Sequence, residues 1–167
     1  MKSVKIELRS LFVTDGAKKQ ISFDLDLSDT EISGFYPLRK PVHFEGGVFN
    51  RTGVVTFEGH AECEYDAPCD RCGTDCSEKV VTDIAYTLVT RLNDEEREDY
   101  LEVPDYTLDA ESVVRTDVLL SLPTKHLCSP ECKGLCSNCG ANLNNGSCSC
   151  KTTESNPFAD ALSKFFD

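Results

Sequence analysis

The chain has 167 residues, 40% of them hydrophobic and 10 of them glycine, a composition typical of a globular domain rather than of a disordered or fibrous chain. Its 29 acidic and 17 basic residues give a formal charge of -12, which argues against binding nucleic acid through the overall field. The first residues alternate charged and apolar side chains instead of forming the apolar core of a signal peptide, so we expect a soluble, cytoplasmic protein.

The first half of the chain has the period of β-strands. Apolar and polar side chains alternate over residues 21–27, 42–49 and 55–65, and turn-forming residues from Asn50 to Gly53 separate the second run from the third. A further strand is predicted over about 79–90. The sequence therefore indicates an antiparallel sheet that contains at least one hairpin.

An acidic stretch and a helix follow the strands. Residues 93–109 carry eight acidic side chains against one basic side chain, which is typical of a solvated, mobile loop. The alternative is an interaction surface for a basic partner. Asp109 is placed to cap a helix that buries Val114 and Val118 and ends before Pro123. We expect this helix to pack on the sheet.

The end of the chain predicts a second helix. Residues 151–155 form a short polar linker, and Pro157 suits the first turn of a helix. Its apolar residues fall on one stripe, formed by Phe158, Leu162, Phe165 and Phe166. So short a helix needs a surface to pack on, either on the chain's own β body or in a groove of a partner.

Ten cysteines are the most informative feature of the composition. A disulfide framework would require an export signal and a shorter chain, whereas in a reducing compartment closely spaced thiols indicate a metal site. Eight of the ten occur in short spacings: Cys69, Cys72, Cys128, Cys132, Cys136, Cys139, Cys148 and Cys150.

The spacing favours two zinc sites of four thiolates each. Gly140 follows the second CxxC and relieves the tight turn of a zinc knuckle. We favour one site formed by Cys136, Cys139, Cys148 and Cys150 and another formed by Cys69, Cys72, Cys128 and Cys132. Two alternatives stay open at this point: an exchange of Cys128 and Cys132 with Cys148 and Cys150, or a single ion that leaves four thiols free.

The remaining candidates near the cysteines are assigned structural roles. Cys63 lies on the apolar face of its strand and is expected to be a small buried hydrophobe. Cys76 is similar, although it is close enough to Cys72 to replace it as a ligand. His126 is expected to be a surface histidine without a ligand role.

Three basic residues surround the cysteines, namely Arg71, Lys125 and Lys133. This part of the C-terminal half is its least acidic, so any contact with a phosphate backbone is expected here. Phe158 and Leu162 are the corresponding candidates for contact with a protein partner.

No catalytic motif accompanies the cysteines, and we expect no enzyme. Four thiolates around zinc leave no open position for a substrate. The alternative is a redox-active dithiol protein that uses its CxxC pairs, but the redox motif of thioredoxin opens a helix, whereas Cys72 is followed by Gly73 and a strand.

The tract from Cys128 to Cys150 resembles the cysteine-rich branch of the YceD-like family. The resemblance is most specific at its centre, which reads Cys-Lys-Gly-Leu-Cys-Ser-Asn-Cys-Gly-Ala-Asn-Leu-Asn. Residues 69–72 and 156–159 are also similar to that family. The chain departs from the family pattern at Ser137, a position that is often proline in relatives. The resemblance implies a non-enzymatic ribosome-biogenesis factor for processing or accumulation of large-subunit (23S) ribosomal RNA. It carries over the same eight cysteines as ligands of structural zinc.

Together these features predict an α+β protein. An antiparallel, barrel-like β body with a packed helix is expected over residues 1–122, a zinc-binding tract over 123–150, and a linker with a terminal amphipathic helix over 151–167. The expected cofactor is one or two Zn2+ ions. The expected partner is large-subunit ribosomal RNA, a basic ribosomal protein or a pre-ribosomal particle, with no membrane and no small-molecule substrate.

Overall fold

The computed structural model describes residues 4–91 and 99–150, and within them the chain forms seven strands and two helices. In chain order they are β1 (Lys5–Glu7), α1 (Arg9–Val13), β2 (Lys18–Leu25), β3 (Val42–Arg51), β4 (Val54–Pro68), β5 (Asp75–Val89), β6 (Tyr100–Glu102), β7 (Thr107–Asp109) and α2 (Ala110–Ser121). The expected α+β class is confirmed.

Five strands form one sheet in the order β2-β3-β4-β5-β6, and β1 pairs with β7 in a second, two-stranded sheet. Neighbours from β2 to β5 are antiparallel, as consecutive hairpins require, whereas the short β6 lies parallel to β5. In the part of the chain that the structure describes, no ladder joins β2 to β6. The sheet is therefore open, and the barrel-like form stays a prediction.

The hairpin between β3 and β4 has a two-residue turn at Thr52 and Gly53, with φ of 53° and 82°. Positive φ at both central residues is the property of a type I′ turn, whose twist matches that of the strands. The buried Asn50 side chain accepts the Gly53 N–H at 3.0 Å and donates to the Leu11 carbonyl at 2.7 Å. The predicted hairpin is confirmed, and Asn50 ties it to α1.

The core side of the sheet is built on a row of aromatic rings. Phe23, Phe44 and Phe57 come from three neighbouring strands, with ring centroids 5.2 and 5.4 Å apart. The ring of Phe44 lies over Gly59, where an added Cβ would be 2.6 Å from Phe44 Cζ. Glycine at this position lets the ring approach the backbone.

Helix α2 packs on β5, as predicted. Asp109 caps it, since its side chain accepts the Ser112 N–H at 3.1 Å, and Leu122 is extended before Pro123. Val114 and Val118 are buried on its inner face.

The acidic stretch is more ordered than expected. β6 extends the main sheet and β7 pairs with β1, while Val103 and Leu108 are buried in the core. The prediction of a solvated loop was therefore wrong for residues 99–109, because apolar side chains between the carboxylates supply buried contacts. Residues 93–98 lie outside the described residues.

The predicted linker and terminal helix at 151–167, including Phe158 and Leu162, also lie outside the described residues. The boundaries proposed at 122/123 and 150/151 stay predictions. Among the described helices, none has the length and apolar content needed to cross a bilayer.

Candidate metal centres

The first cysteine group joins the tip of a hairpin to a tract much later in the chain. β4 and β5 pair from Val55↔Leu88 to Pro68↔Asp75, so the six residues between them form the tip. Cys69 and Cys72 from this tip meet Cys128 and Cys132, which follow α2. The four sulfurs lie within 4.8 Å of one another, and three of the cysteines, all except Cys128, are buried.

Backbone hydrogen bonds shape the tip around its sulfurs. Cys69 N–H donates to the Thr74 carbonyl at 2.9 Å and Gly73 N–H donates to the Cys69 carbonyl at 2.8 Å. Gly73 has φ of 68°, a conformation that glycine adopts without strain. The tip is therefore a tight knuckle rather than a flexible loop.

The hairpin tip and the later tract are also joined away from the sulfurs. Asp70 N–H donates to the His126 carbonyl at 2.9 Å, and the Asp70 carboxylate accepts the His126 N–H at 2.7 Å. Arg71 Nη1 donates to the Cys132 carbonyl at 2.8 Å. These bonds hold both ligand pairs of the first group in register.

The sulfur distances fit a tetrahedral zinc ion. With Zn–S bonds of about 2.3 Å, sulfurs at the corners of a tetrahedron lie about 3.8 Å apart. Cys69 and Cys132 Sγ are 3.8 Å apart, and Cys72 and Cys128 Sγ are 3.6 Å apart. Four thiolates also match the donors that zinc prefers, so this group can hold the ion.

The second group lies entirely within the C-terminal tract. Cys136, Cys139, Cys148 and Cys150 bring their sulfurs within 4.8 Å of one another. Gly140 N–H donates to the Cys136 carbonyl at 2.9 Å with φ of 71°, and Cys136 N–H donates to the Ala141 carbonyl at 2.8 Å. This is the knuckle that the CxxC-Gly spacing predicts. The structure thus brings together the two sets favoured from the sequence, and their role as zinc ligands stays a prediction.

In the first group, hydrogen bonds lower the pKa of some cysteines and raise that of another. Backbone N–H groups, that of Cys128 first, lower the pKa of Cys69 to about 6. The Thr74 side chain and backbone lower the pKa of Cys72. The neighbouring Cys132 and Cys72 sulfurs raise the pKa of Cys128 to about 12. Four sulfurs this close repel one another as thiolates, and a bound cation removes that repulsion.

The second group shows the same division. The backbone N–H groups of Cys139 and Asn138 lower the pKa of Cys136 to about 6. The adjacent Cys139 sulfur raises the pKa of Cys150 to about 12. Each group therefore stabilises a thiolate before a metal binds, and a bound cation would balance that negative charge.

His126 was expected at the surface, and this was wrong. It is 3% exposed, its Nε2 lies 3.1 Å from both Sγ and the carbonyl oxygen of Cys76, and its ring packs edge-on against Tyr65. Cys76 belongs to neither cysteine group, and burial raises its pKa. Cys63 is 6% exposed, so its predicted role as a small buried hydrophobe is confirmed.

Two asparagines near the cysteines were missed as site residues. Asn144 Nδ2 lies 3.3 Å from Cys132 Sγ, and Asn142 Nδ2 lies 3.4 Å from the Thr74 hydroxyl. Both are in the loop between Cys139 and Cys148, where the sequence indicated only turn-forming residues. No local pattern shows that this loop reaches the other group.

Three of the predicted partner-binding residues lie in the described part of the chain, whereas Phe158 and Leu162 lie outside it. Lys125 and Lys133 are exposed. Arg71 is exposed as well, but its guanidinium group donates a hydrogen bond to the Cys132 carbonyl. Their contact with a partner stays a prediction.

The C-terminal two thirds of the chain match a known family model. Residues 57–166 match the model described as "Large ribosomal RNA subunit accumulation protein YceD", and this range includes both cysteine groups.

Two curated chloroplast proteins are similar to the chain, and both are named "Large ribosomal RNA subunit accumulation protein YCED homolog 1, chloroplastic". The protein of Arabidopsis thaliana is 26% identical over 171 residues, which cover 84% of this chain and 53% of the relative. That of Zea mays is 42% identical over 57 residues, 32% of this chain and 20% of the relative. The chain thus spans about half the length, or less, of these relatives, and no solved structure matches it.

Proposed function

The chain belongs to the YceD family of large ribosomal RNA subunit accumulation proteins, and we propose that it supports processing or accumulation of large-subunit (23S) ribosomal RNA as a non-enzymatic ribosome-biogenesis factor. The observation that carries the proposal is the assembly of eight cysteines into two groups of four within the family's matched residues. Each group would hold one structural zinc ion, because four thiolates complete its coordination and leave no position for a substrate.

The ions would serve the fold of the C-terminal tract. The buried cluster near the hairpin tip consists of Cys69, Cys72 and Cys132, with Cys76 and Leu127 packed against it, so it contains little apolar surface. Small modules of this kind draw their folding free energy from metal binding. An ion in the first group would also cross-link Cys72 to Cys128, 56 residues later. The tract would then be attached to the β body in one orientation.

Metal analysis of protein purified without chelator tests this role. We expect two zinc ions per chain. Cys69→Ser should reduce the count to one, whereas Cys63→Ser, which changes a buried cysteine outside both groups, should leave it at two. A wild-type chain without metal, or a Cys69→Ser chain that keeps both ions, would contradict the proposal.

We propose that the immediate partner is a basic ribosomal protein, shielded before it meets RNA. The net charge of -12 supports this, and so does the sequence of residues 93–109, with eight acidic side chains against one basic side chain. Direct contact with RNA is the other form of the proposal, and it would involve the exposed Lys125 and Lys133.

The ribosomal role is tested by depletion. Loss of the protein should lower the amount of large-subunit ribosomal RNA relative to small-subunit RNA, as measured by blotting. Wild-type protein and Cys63→Ser should restore the ratio, and Cys69→Ser should not. An unchanged ratio after depletion would contradict the role.

Nuclease treatment distinguishes the two forms of partner. A basic large-subunit protein should co-purify with the chain after digestion of RNA if the contact is between proteins. Loss of every ribosomal component on digestion would favour direct binding to RNA.

A redox-active dithiol protein is the second candidate, favoured by the lowered pKa of Cys69, about 6. Against it, the CxxC lies in a turn between β4 and β5 rather than at the start of a helix. Alkylation of metal-loaded protein separates the candidates. Zinc ligands should react slowly until a chelator is added, whereas a redox cysteine should react at once.

Two finer expectations complete the proposal. A compartment that keeps thiols reduced, such as the cytoplasm, would suit eight zinc-binding cysteines. The segment at 157–166 would form an amphipathic helix in which Phe158 and Leu162 contact the β body or a partner.

A further inference from the structure

We propose that the two cysteine groups bind their ions cooperatively, because Asn142 and Asn144, in the loop of the second group, position the thiolates of the first group. The inference rests on the metal-binding role proposed above. It adds two positioning residues that are not themselves ligands, and it makes the affinity of one site depend on the occupancy of the other.

The side chain of Asn144 makes three hydrogen bonds at the junction of the two cysteine groups. Its Nδ2 lies 3.3 Å from Cys132 Sγ and 2.9 Å from Asn142 Oδ1, while its Oδ1 accepts the Lys133 N–H at 2.8 Å. A backbone N–H can only donate, so the amide oxygen must face Lys133 and the NH2 group must face the sulfur. Asn144 therefore donates one of its two hydrogens to Cys132.

Cys132 needs this donor because it is cut off from water. It is 3% exposed, and a buried thiolate without hydrogen bonds is costly. Hydrogen bonds to a charged acceptor are the stronger kind. Groups that orient or stabilise a metal ligand typically change metal affinity by about 10- to 100-fold when they are removed.

Asn142 acts on a second thiolate through Thr74. Its Nδ2 donates to Thr74 Oγ1 at 3.4 Å, and the same oxygen lies 3.4 Å from Cys72 Sγ. A thiolate can only accept, so the Thr74 hydroxyl, whose oxygen accepts from Asn142, donates its hydrogen to the Cys72 sulfur. Two thiolates of the first group, on different segments, thus receive hydrogen bonds organised by one loop.

That loop is held by the second group. Cys139 and Cys148 flank it, and an ion that joins them fixes its ends. Its base is pinned where Cys136 N–H donates to the Ala141 carbonyl at 2.8 Å and Leu143 N–H to the Gly134 carbonyl at 2.9 Å. Filling the second group therefore places both asparagines against the first.

The coupling must act equally in both directions. If an ion in the second group raises the affinity of the first, an ion in the first raises the affinity of the second by the same factor. Cys132 and Lys133, which Asn144 contacts, are ordered by the first group. The expected result is a chain that loads both ions together.

Chelator competition on the metal-free full chain, titrated with zinc, tests the inference. Asn144→Asp keeps the oxygen that accepts from Lys133 but replaces the donor with a negative charge beside the thiolate. We expect it to weaken the first group by about 10- to 100-fold. Asn145→Asp is the matched control, because it makes the same charge change at the next residue, which is exposed like Asn144, whereas the bonds to Cys132 and Lys133 are made by Asn144. It should leave both affinities unchanged.

Cysteine variants assign the affinities to the groups. Cys69→Ser reports the second group alone, and Cys139→Ser/Cys148→Ser reports the first group alone. The first group should be weakened in the latter variant, and adding Asn144→Asp to it should cost less than in the complete chain, because the loop is no longer held. The reciprocal weakening of the second group in Cys69→Ser should have the same factor.

The outcomes separate this inference from the metal role itself. A wild-type chain that binds no ion overturns both. A wild-type chain that binds two ions, with both affinities unaltered in Asn144→Asp, overturns the coupling alone. Equal losses in Asn144→Asp and Asn145→Asp would overturn it too, because added charge rather than the lost donor would then be responsible.

Discussion

Arg71 donates a hydrogen bond from Nη1 to the carbonyl oxygen of Cys132, and the two atoms are 2.8 Å apart. Arg71 lies between Cys69 and Cys72, so this bond joins the two halves of the first cysteine group without using a sulfur. The backbones also lie close here, since a Cβ on Gly134 would be 3.1 Å from the Arg71 carbonyl oxygen. The side chain therefore holds the tract to the hairpin tip.

Arg71→Ala should weaken this junction while the sulfurs stay in place. A hydrogen bond from a charged donor, partly exposed to water as here, contributes about 1 kcal/mol. We expect faster proteolysis near Cys132 and a modestly weaker first ion, with two ions still bound at saturation. Limited proteolysis followed by mass spectrometry measures the first effect.

Lys125→Ala is the control for Arg71→Ala. Lys125 is exposed and shares the charge of Arg71 but not its bond to Cys132. If both variants lost partner binding equally and kept the wild-type digestion pattern, Arg71 would act as a surface charge, and its structural role would be wrong.

Alkylation of the metal-free protein near pH 7 should distinguish Cys136 from Cys150, although both are half-buried in the same group. The pKa of Cys136 is lowered to about 6, so it is mostly thiolate at this pH, whereas the pKa of Cys150 is raised to about 12 and it stays protonated. The thiolate is the nucleophile. Cys136 should therefore be modified first, with a rate that falls as the pH drops through about 6.

The same protein loaded with zinc is the control for that experiment. Both cysteines should then resist alkylation, because the metal occupies the thiolate lone pairs. Mass spectrometry of peptides that carry a single modification gives the ratio of the two alkylation rates. Equal modification of Cys136 and Cys150 in the metal-free protein would show that the backbone N–H groups do not stabilise the Cys136 thiolate.

His126→Leu should destabilise the fold without removing a metal ion. The substitution removes the hydrogen bond of Nε2 to the Cys76 carbonyl at 3.1 Å, a half-buried contact that contributes about 1 kcal/mol. Chemical denaturation measures the loss, and metal analysis should still find two ions. His60→Leu, on the exposed side of the sheet, should change stability little. Loss of one ion from His126→Leu would instead make His126 a ligand.

The strands were predictable where one face of the sheet is exposed to solvent and the other is buried. Over residues 42–49 and 55–65 the period of two reports directly on burial, and the hairpin follows from its turn residues. β5 begins at Asp75, earlier than predicted, because backbone pairing with β4 continues to the hairpin tip through polar residues. β6 and β7 were missed because short strands within an acidic stretch carry too few residues to show a period.

The four cysteine pairs were predictable, because a short spacing brings two sulfurs together whatever the rest of the chain does. Which pairs meet stayed open, because Cys69 and Cys72 reach Cys128 and Cys132 only through the tertiary fold. The surroundings of those sulfurs were not. His126 is buried because Tyr65 and Cys76 from the distant hairpin cover it, and Asn144 reaches Cys132 because a separate loop folds back. Such contacts depend on tertiary structure and leave no local pattern in the sequence.

Gly59→Ala should be strongly destabilising, because it adds a methyl group where the Phe44 ring covers the backbone. The new Cβ would lie 2.6 Å from both Phe44 Cζ and the Glu45 carbonyl oxygen, so the ring must move and the ladder between β3 and β4 must open. Overpacking of this kind costs about 3 kcal/mol. Urea denaturation followed by circular dichroism measures it, with His60→Ala on the exposed side of the same strand as the control. If Gly59→Ala were as stable as His60→Ala, the ring could not be packed on this glycine, and the aromatic row would need another support.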